Sequence, residues 1–118
     1  MKHLLVVAHG SRRAASNDEV RGLVYQMRRH NQTYDRIECA FLELAEPSIP
    51  DGIQNCIDCG AEEIIVLPYF LAAGTHVVND IPDLIYGKQE EHPEIVIRQA
   101  GHVGALPGIV DLMLKAAD

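Results

Sequence analysis

Four short apolar runs, each followed by apolar residues at helical spacing, constrain this chain more than any other feature. A strand that recurs after every helix can rejoin its neighbours only in parallel, through right-handed crossovers, with the helices laid on the sheet faces. The first run, His3–Ala8, is unbroken, as expected of a strand buried on both sides. Ser16-Asn17-Asp18-Glu19 matches a capping box, and Val20, Leu23, Val24 and Met27 follow at i, i+3, i+4 and i+7, so a helix is expected from there to about His30. The second strand is expected over Arg36–Glu43. Ser48, with Asp51 three residues on, caps a second helix whose buried side is Ile49, Ile53, Cys56 and Ile57, and which Gly60 ends.

The third strand is expected over Glu63–Pro68. A third helix starts between Val77 and Ile81, the later start being favoured because Pro82 is tolerated only in a first turn. It ends near Tyr86-Gly87, leaving Lys88–Pro93 as a polar loop. Glu94–Arg98 is the fourth strand, and Ile109, Leu112, Met113 and Ala116 mark a last amphipathic helix. The expected fold is α/β: a single-lobe, four-stranded parallel sheet of order 2-1-3-4 with helices on both faces, a shortened flavodoxin-like arrangement. With 118 residues, 47% of them apolar, one domain over residues 1–118 can bury a core without disulfide support.

Ligands of open parallel sheets bind outside the carboxyl ends of the strands. Two histidines stand there. His9 directly follows the first strand, where Gly10 permits a sharp turn. His76 lies at the end of the long connection after the third strand, Pro68–Thr75. With strand 1 between strands 2 and 3, His9, His76 and the end of strand 2 share one sheet edge. Two imidazoles there suit a metal or proton-transfer site. Each alone is equally compatible with a polar residue capping a loop or a helix start. Glu43 can add a carboxylate at the end of strand 2, with Glu46 as its rival, or it is a solvated charge. His102 follows strand 4 and is read as peripheral, while His3, His30 and His92 receive no role.

Other chemistries are excluded by what is missing. No GxGxxG, GxxxxGK[ST] or GxSxG motif is present, and Ala8 stands where the Arg-His-Gly opening of histidine phosphatases needs arginine. A formal net charge of −7 disfavours nucleic acid or an anionic membrane surface as partner. No apolar run is long enough to span a bilayer. Three cysteines, an odd number, with no export signal ahead of Leu4-Leu5-Val6-Val7, suit a reduced, cytoplasmic setting. Cys56-Ile57-Asp58-Cys59 has redox spacing but lies at a helix C-terminus, whose negative end disfavours a thiolate, so it is read as packing.

Three ordered segments carry a family resemblance: Val7-Ala8-His9-Gly10-Ser11-Arg12, then Glu43-Leu44-Ala45-Glu46-Pro47-Ser48-Ile49, then Pro68–Val77 with Asp80-Ile81-Pro82. Together they resemble the small CbiX-type class II sirohydrochlorin chelatases. The likeness is strong over about Leu4–Pro82 and weaker beyond it. The resemblance implies insertion of a divalent metal (Co²⁺, Ni²⁺ or Fe²⁺) into sirohydrochlorin with loss of two pyrrole protons. It implies no cofactor beyond that substrate metal. It maps the family's active-site histidines onto His9 and His76, as catalytic groups and metal ligands, and its glutamate onto Glu43. Longer relatives carry two such lobes around one cleft, so the resemblance implies a homodimer for a single lobe.

The tetrapyrrole is rich in carboxylates, and the chain is acidic. A local positive patch is therefore expected from Ser11, Arg12 and Arg13 with helix N-terminal amides, although the two arginines fit a solvated helix approach equally well. Tyr69, Phe70, Gly74 and Thr75 would border the macrocycle, Phe70 unless it is taken up by the core. The alternatives are a non-catalytic metal or tetrapyrrole carrier on the same lobe, and a flavodoxin-like binding module without metal.

Overall fold

The computed structural model describes all 118 residues. Its sheet holds β1 (Lys2–Ala8), β2 (Arg36–Phe41), β3 (Glu63–Pro68) and β4 (Val96–Gln99), all parallel, in the order β2-β1-β3-β4. Helices α1 (Ala14–His30), α2 (Ile49–Asp58), α3 (Ile81–Glu91) and α4 (Ile109–Ala117) alternate with the strands. The expected architecture and strand order are those observed.

β1 is central, and its successive side chains serve both faces. Leu5 and Val7 join Ala40, Ile49, Ile53, Ile64, Val66, Ile81 and Ile85 in the larger core beneath α2 and α3. Leu4 and Val6 meet Ile37, Ile65 and Val24 of α1 on the other side. Burying each of these aliphatic side chains is worth roughly 1.5–3 kcal/mol, which is why an unbroken apolar run sits here.

Several boundaries differ from the sequence expectation. α1 starts at Ala14, ahead of the Ser16 capping box, and Ser16 caps nothing. Instead the buried Asn17 amide accepts from the Ser11 N–H at 2.9 Å and donates to the Ser11 carbonyl at 2.8 Å, while Ser11 Oγ accepts from the Arg13 N–H. This pairing holds the turn that carries His9. The β2 ladder ends at Phe41, short of Glu43, although Leu42 N–H and Glu43 N–H still donate to the carbonyls of Ala8 and His9. β4 begins at Val96, two residues later than expected.

α2 begins and ends as expected, with Ser48 Oγ accepting from the Asp51 N–H at 3.2 Å and Gly60 at φ +95° past its end. α3 does not end at Tyr86-Gly87. It runs to Glu91 because Lys88, buried, donates from Nζ to Gln54 Oε1 of α2 at 2.7 Å and pairs with Glu91 at 3.5 Å. The segment ahead of it, His76–Asp80, is a π-helical turn continuous with α3. α4 forms, but it lays no residue into the core: Val110, Leu112, Met113 and Leu114 are all about 60% exposed or more. No helix is long and apolar enough to cross a membrane.

His3 is fully buried, and neither ring nitrogen has a hydrogen-bond partner. Burial, and next the Arg36 guanidinium, hold its pKa below the ordinary 6.5. The unfolded chain therefore binds the proton that the folded chain refuses. Stability is fully present above pH 6.5 and falls as pH drops below it, by up to about 1.4 kcal/mol per pH unit. Urea unfolding followed from pH 8 to 5 is expected to show that limb, and His3→Leu to flatten it. An equally steep limb in the variant would remove His3 as its source.

Candidate metal and tetrapyrrole site

The parallel register brings three strand ends level, with Ala8 opposite Phe41 and Val7 opposite Pro68. Just past these ends the chain turns His9 and His76 toward one another. Gly10 makes the first turn possible. It sits at φ +91°, and a Cβ there would fall 1.7 Å from the Glu43 carbonyl oxygen. A side chain at this position would push the β2 extension away and separate Glu43 from His9. The second histidine is set by the connection after β3. Tyr69 N–H donates to the Val7 carbonyl, and Gly74 O accepts from Val77 and Val78, closing the turn from which His76 projects.

The two imidazoles stand edge to face, with ring centroids 4.9 Å apart and planes at 67°. His9 Nδ1 lies 2.9 Å from the Gly10 carbonyl, which can only accept, so Nδ1 carries the hydrogen. His76 Nδ1 lies 2.7 Å from Asp80 Oδ2, and the same reasoning applies. Whenever such a ring is neutral, Nε2 is then the lone-pair nitrogen. Glu43 Oε1 is 3.5 Å from His9 Nε2, within electrostatic reach but beyond a good hydrogen bond. Glu46 makes no such approach; its backbone carbonyl accepts from Arg21 instead.

The Phe70 ring, half-buried against the core, has its centroid 6.4 Å from that of His76. Tyr69 is exposed beside it, as are Gly74 and Thr75 at the head of the π turn. Gly104, from the turn after β4, is pressed onto this segment, donating to the Phe70 carbonyl, with no room for a Cβ against Leu71 O.

Arg12 and Arg13 are exposed on the His9 turn. Unlike Arg21, Arg28, Arg36 and Arg98, neither is tied to a carboxylate. His102 stays apart at the start of the Val103–Ala105 turn. Asp80, part of the third resembling segment but given no role from the sequence, is the functional-site candidate that the fold adds. Its place in that segment and an i, i+4 spacing from His76 were its signals.

The resulting cleft is open, about 370 Å³, and bordered by Leu42, Glu43, His76, Asp80, Asp83 and Leu84. His9, Glu43, His76 and Asp80 side chains each remain between 44% and 58% exposed. No three His, Cys, Asp or Glu side chains are arranged so that together they could hold a metal ion. The cysteines lie elsewhere. Burial pushes the Cys56 thiol up to about 12, which makes it a poor nucleophile or ligand.

The CbiX family profile matches residues 3–118. The chain belongs to the CbiX family. Among curated relatives it is 40% identical to the sirohydrochlorin cobaltochelatase of Methanococcus maripaludis over 85 residues, 72% of this chain and 58% of that one. It is 31% identical to the sirohydrochlorin ferrochelatase of Priestia megaterium over 98% of this chain and 43% of that one. It spans 58% and 64% of the lengths of the first two curated relatives, both sirohydrochlorin cobaltochelatases.

The same lobe recurs in solved CbiX-related structures. A CbiX protein of Marinobacter aquaeolei VT8 superposes with TM-score 0.83 at 28% identity, covering 99% of this chain and 94% of that one. The sirohydrochlorin chelatase SirB of Bacillus subtilis subspecies spizizenii, in complex with cobalt, superposes with TM-score 0.88 at 29% identity, covering 98% of this chain and 49% of that one.

Proposed function

We propose that this CbiX chain inserts a divalent metal, Co²⁺, Ni²⁺ or Fe²⁺, into sirohydrochlorin, and that residues 1–118 act as one chelatase domain. The observation that carries the reading is the His9–His76 pair, with ring centroids 4.9 Å apart at the carboxyl edge of a lobe shared with cobalt-bound SirB. Insertion joins M²⁺ to the macrocycle and releases two pyrrole protons. Neutral imidazoles suit both halves of that exchange, since each Nε2 can hold a borderline metal or accept a proton. An open set of nitrogen donors with one carboxylate, Glu43, also releases its metal more readily than a closed thiolate cage. The metal is substrate, and the exchange requires no redox or nucleotide cofactor.

Ser11, Arg12, Arg13 and the amides at the start of α1 receive the substrate carboxylates. Tyr69 and Phe70 supply an apolar wall for the macrocycle, and Gly74 and Thr75 shape its rim. The protein works in the cytoplasm, as a homodimer. Half-exposed site residues and an uncovered α4 both support a second lobe across the cleft, and the lobe seen here accounts for 49% of the SirB chain.

The test is direct. Purified protein mixed with sirohydrochlorin and each of the three metals is expected to change the tetrapyrrole absorbance faster than a protein-free control. No acceleration with any of them would overturn the chelatase reading. A bound but unmetallated tetrapyrrole would favour a carrier instead.

A further inference from the structure

We propose that Asp80 is a positioning residue that fixes His76 in the tautomer whose Nε2 faces the cleft with its lone pair free. This rests on His76 serving metal insertion as set out above. The Asp80 carboxylate is the only hydrogen-bond partner of the His76 ring, with Oδ2 2.7 Å from Nδ1. An ionised carboxylate accepts and cannot donate, so the hydrogen is held on Nδ1. A free neutral imidazole chain in water prefers the hydrogen on Nε2, which would present N–H, not a lone pair, to an incoming cation. Asp80 reverses that preference.

His9 reaches the same state by another route. Its Nδ1 is held by the carbonyl of Gly10, a backbone group that no substitution removes. Two rings 4.9 Å apart thus carry matching tautomers, one set by the main chain and one by a side chain. A single wrong tautomer would put one N–H where the pair needs a second acceptor. The π turn supplies the placement. Its wide His76–Asp80 turn stands at the head of α3, so the carboxylate is carried by a helix packed into the core through Ile81 and Ile85. Outer partners of this kind orient metal-binding histidines, and their loss typically costs about 10–100-fold in affinity or activity.

Asp80 can be removed without unfolding the lobe. Its side chain is 44% exposed, and an exposed pair of this sort contributes little to stability. The experiment uses full-length, ¹⁵N-histidine-labelled protein without metal, at a pH where the imidazoles are neutral. The ring nitrogen shifts of His76, assigned with His76→Gln, report which nitrogen carries the hydrogen.

Wild type is expected to show Nδ1–H. Asp80→Ala is expected to revert to mostly Nε2–H and to lose about 10–100-fold in insertion rate, with unchanged circular dichroism. Asp80→Asn, whose carbonyl can still accept from Nδ1, is expected to keep more of both the tautomer and the rate. An Nε2–H ring in wild type, or an unaltered tautomer in Asp80→Ala, would overturn the positioning role. A switched tautomer with an unchanged rate would overturn the place of His76 in insertion while leaving the orienting contact intact, so the two failures are distinguishable.

Discussion

His76→Ala is expected to lower the rate of metal insertion by about 10²–10⁴-fold, the range contributed by one well-placed acid–base side chain, while leaving the lobe folded. The ring makes one hydrogen bond, to Asp80, and its side chain is 46% exposed, so little packing goes with it. The turn that presents it is closed by backbone bonds from Val77 and Val78 to Gly74, which alanine preserves. His9→Ala is expected to match it, since the His9 carbonyl keeps its bond from Glu43 N–H when the ring is gone. On the proposed reading, rings 4.9 Å apart share one cation, and the double variant should then lose far less than the product of the two single losses. Glu43→Gln should cost less, its carboxylate being 3.5 Å from His9 and 58% exposed. Steady-state rates with sirohydrochlorin and Co²⁺ measure all four. Single histidine variants that stay within a few-fold of wild type would remove the pair from the chemistry.

What could be read from the sequence follows from which interactions are local. β1 and β3 were legible almost to the residue because an apolar run buried on both faces has no period to misread. The Ser48 cap and the Gly60 stop were legible because a cap and a left-handed glycine act within four residues of themselves. The strand order inferred from the same signals places His9 and His76 at one edge. The misses are the interactions made at a distance. Asn17 reaches back six residues to Ser11, so α1 starts before its apparent capping box. Lys88 bonds Gln54, thirty-four positions away, and carries α3 past a glycine that looks like a stop. The π turn that sets Asp80 on His76 leaves no periodic trace, because a five-residue widening of a helix is invisible in apolar spacing. The site pair was therefore legible and its orientation was not.

The strongest remaining tension in the fold is α4, and it yields the second large effect. A helix reading Ile-Val-Asp-Leu-Met-Leu-Lys-Ala-Ala has too few polar positions to lie in water, yet Leu112, Met113 and Leu114 are each 63–64% exposed. The apolar surface does not stop there. Leu106 is 42% exposed and Leu71, 71%, in the segment that Gly104 presses against beside the site. Exposed apolar side chains on α4 and at Leu71 suit a second copy better than a stray ligand, for a second lobe would also cover the half-exposed site residues. In a two-fold interface each side chain counts twice. Burying a leucine is worth roughly 1.5–3 kcal/mol, so Leu112→Glu should weaken the dimer by about 3–6 kcal/mol, a factor of about 10²–10⁴ in Kd. Leu112 touches none of the core, so the variant should fold with an unchanged far-ultraviolet spectrum. Sedimentation is expected to show a dimer of the 13.0 kDa chain in wild type, a monomer in the variant, and loss of insertion activity in step with dissociation. A monomeric wild type that inserts metal at full rate would show that one lobe suffices and would leave α4 to some other partner.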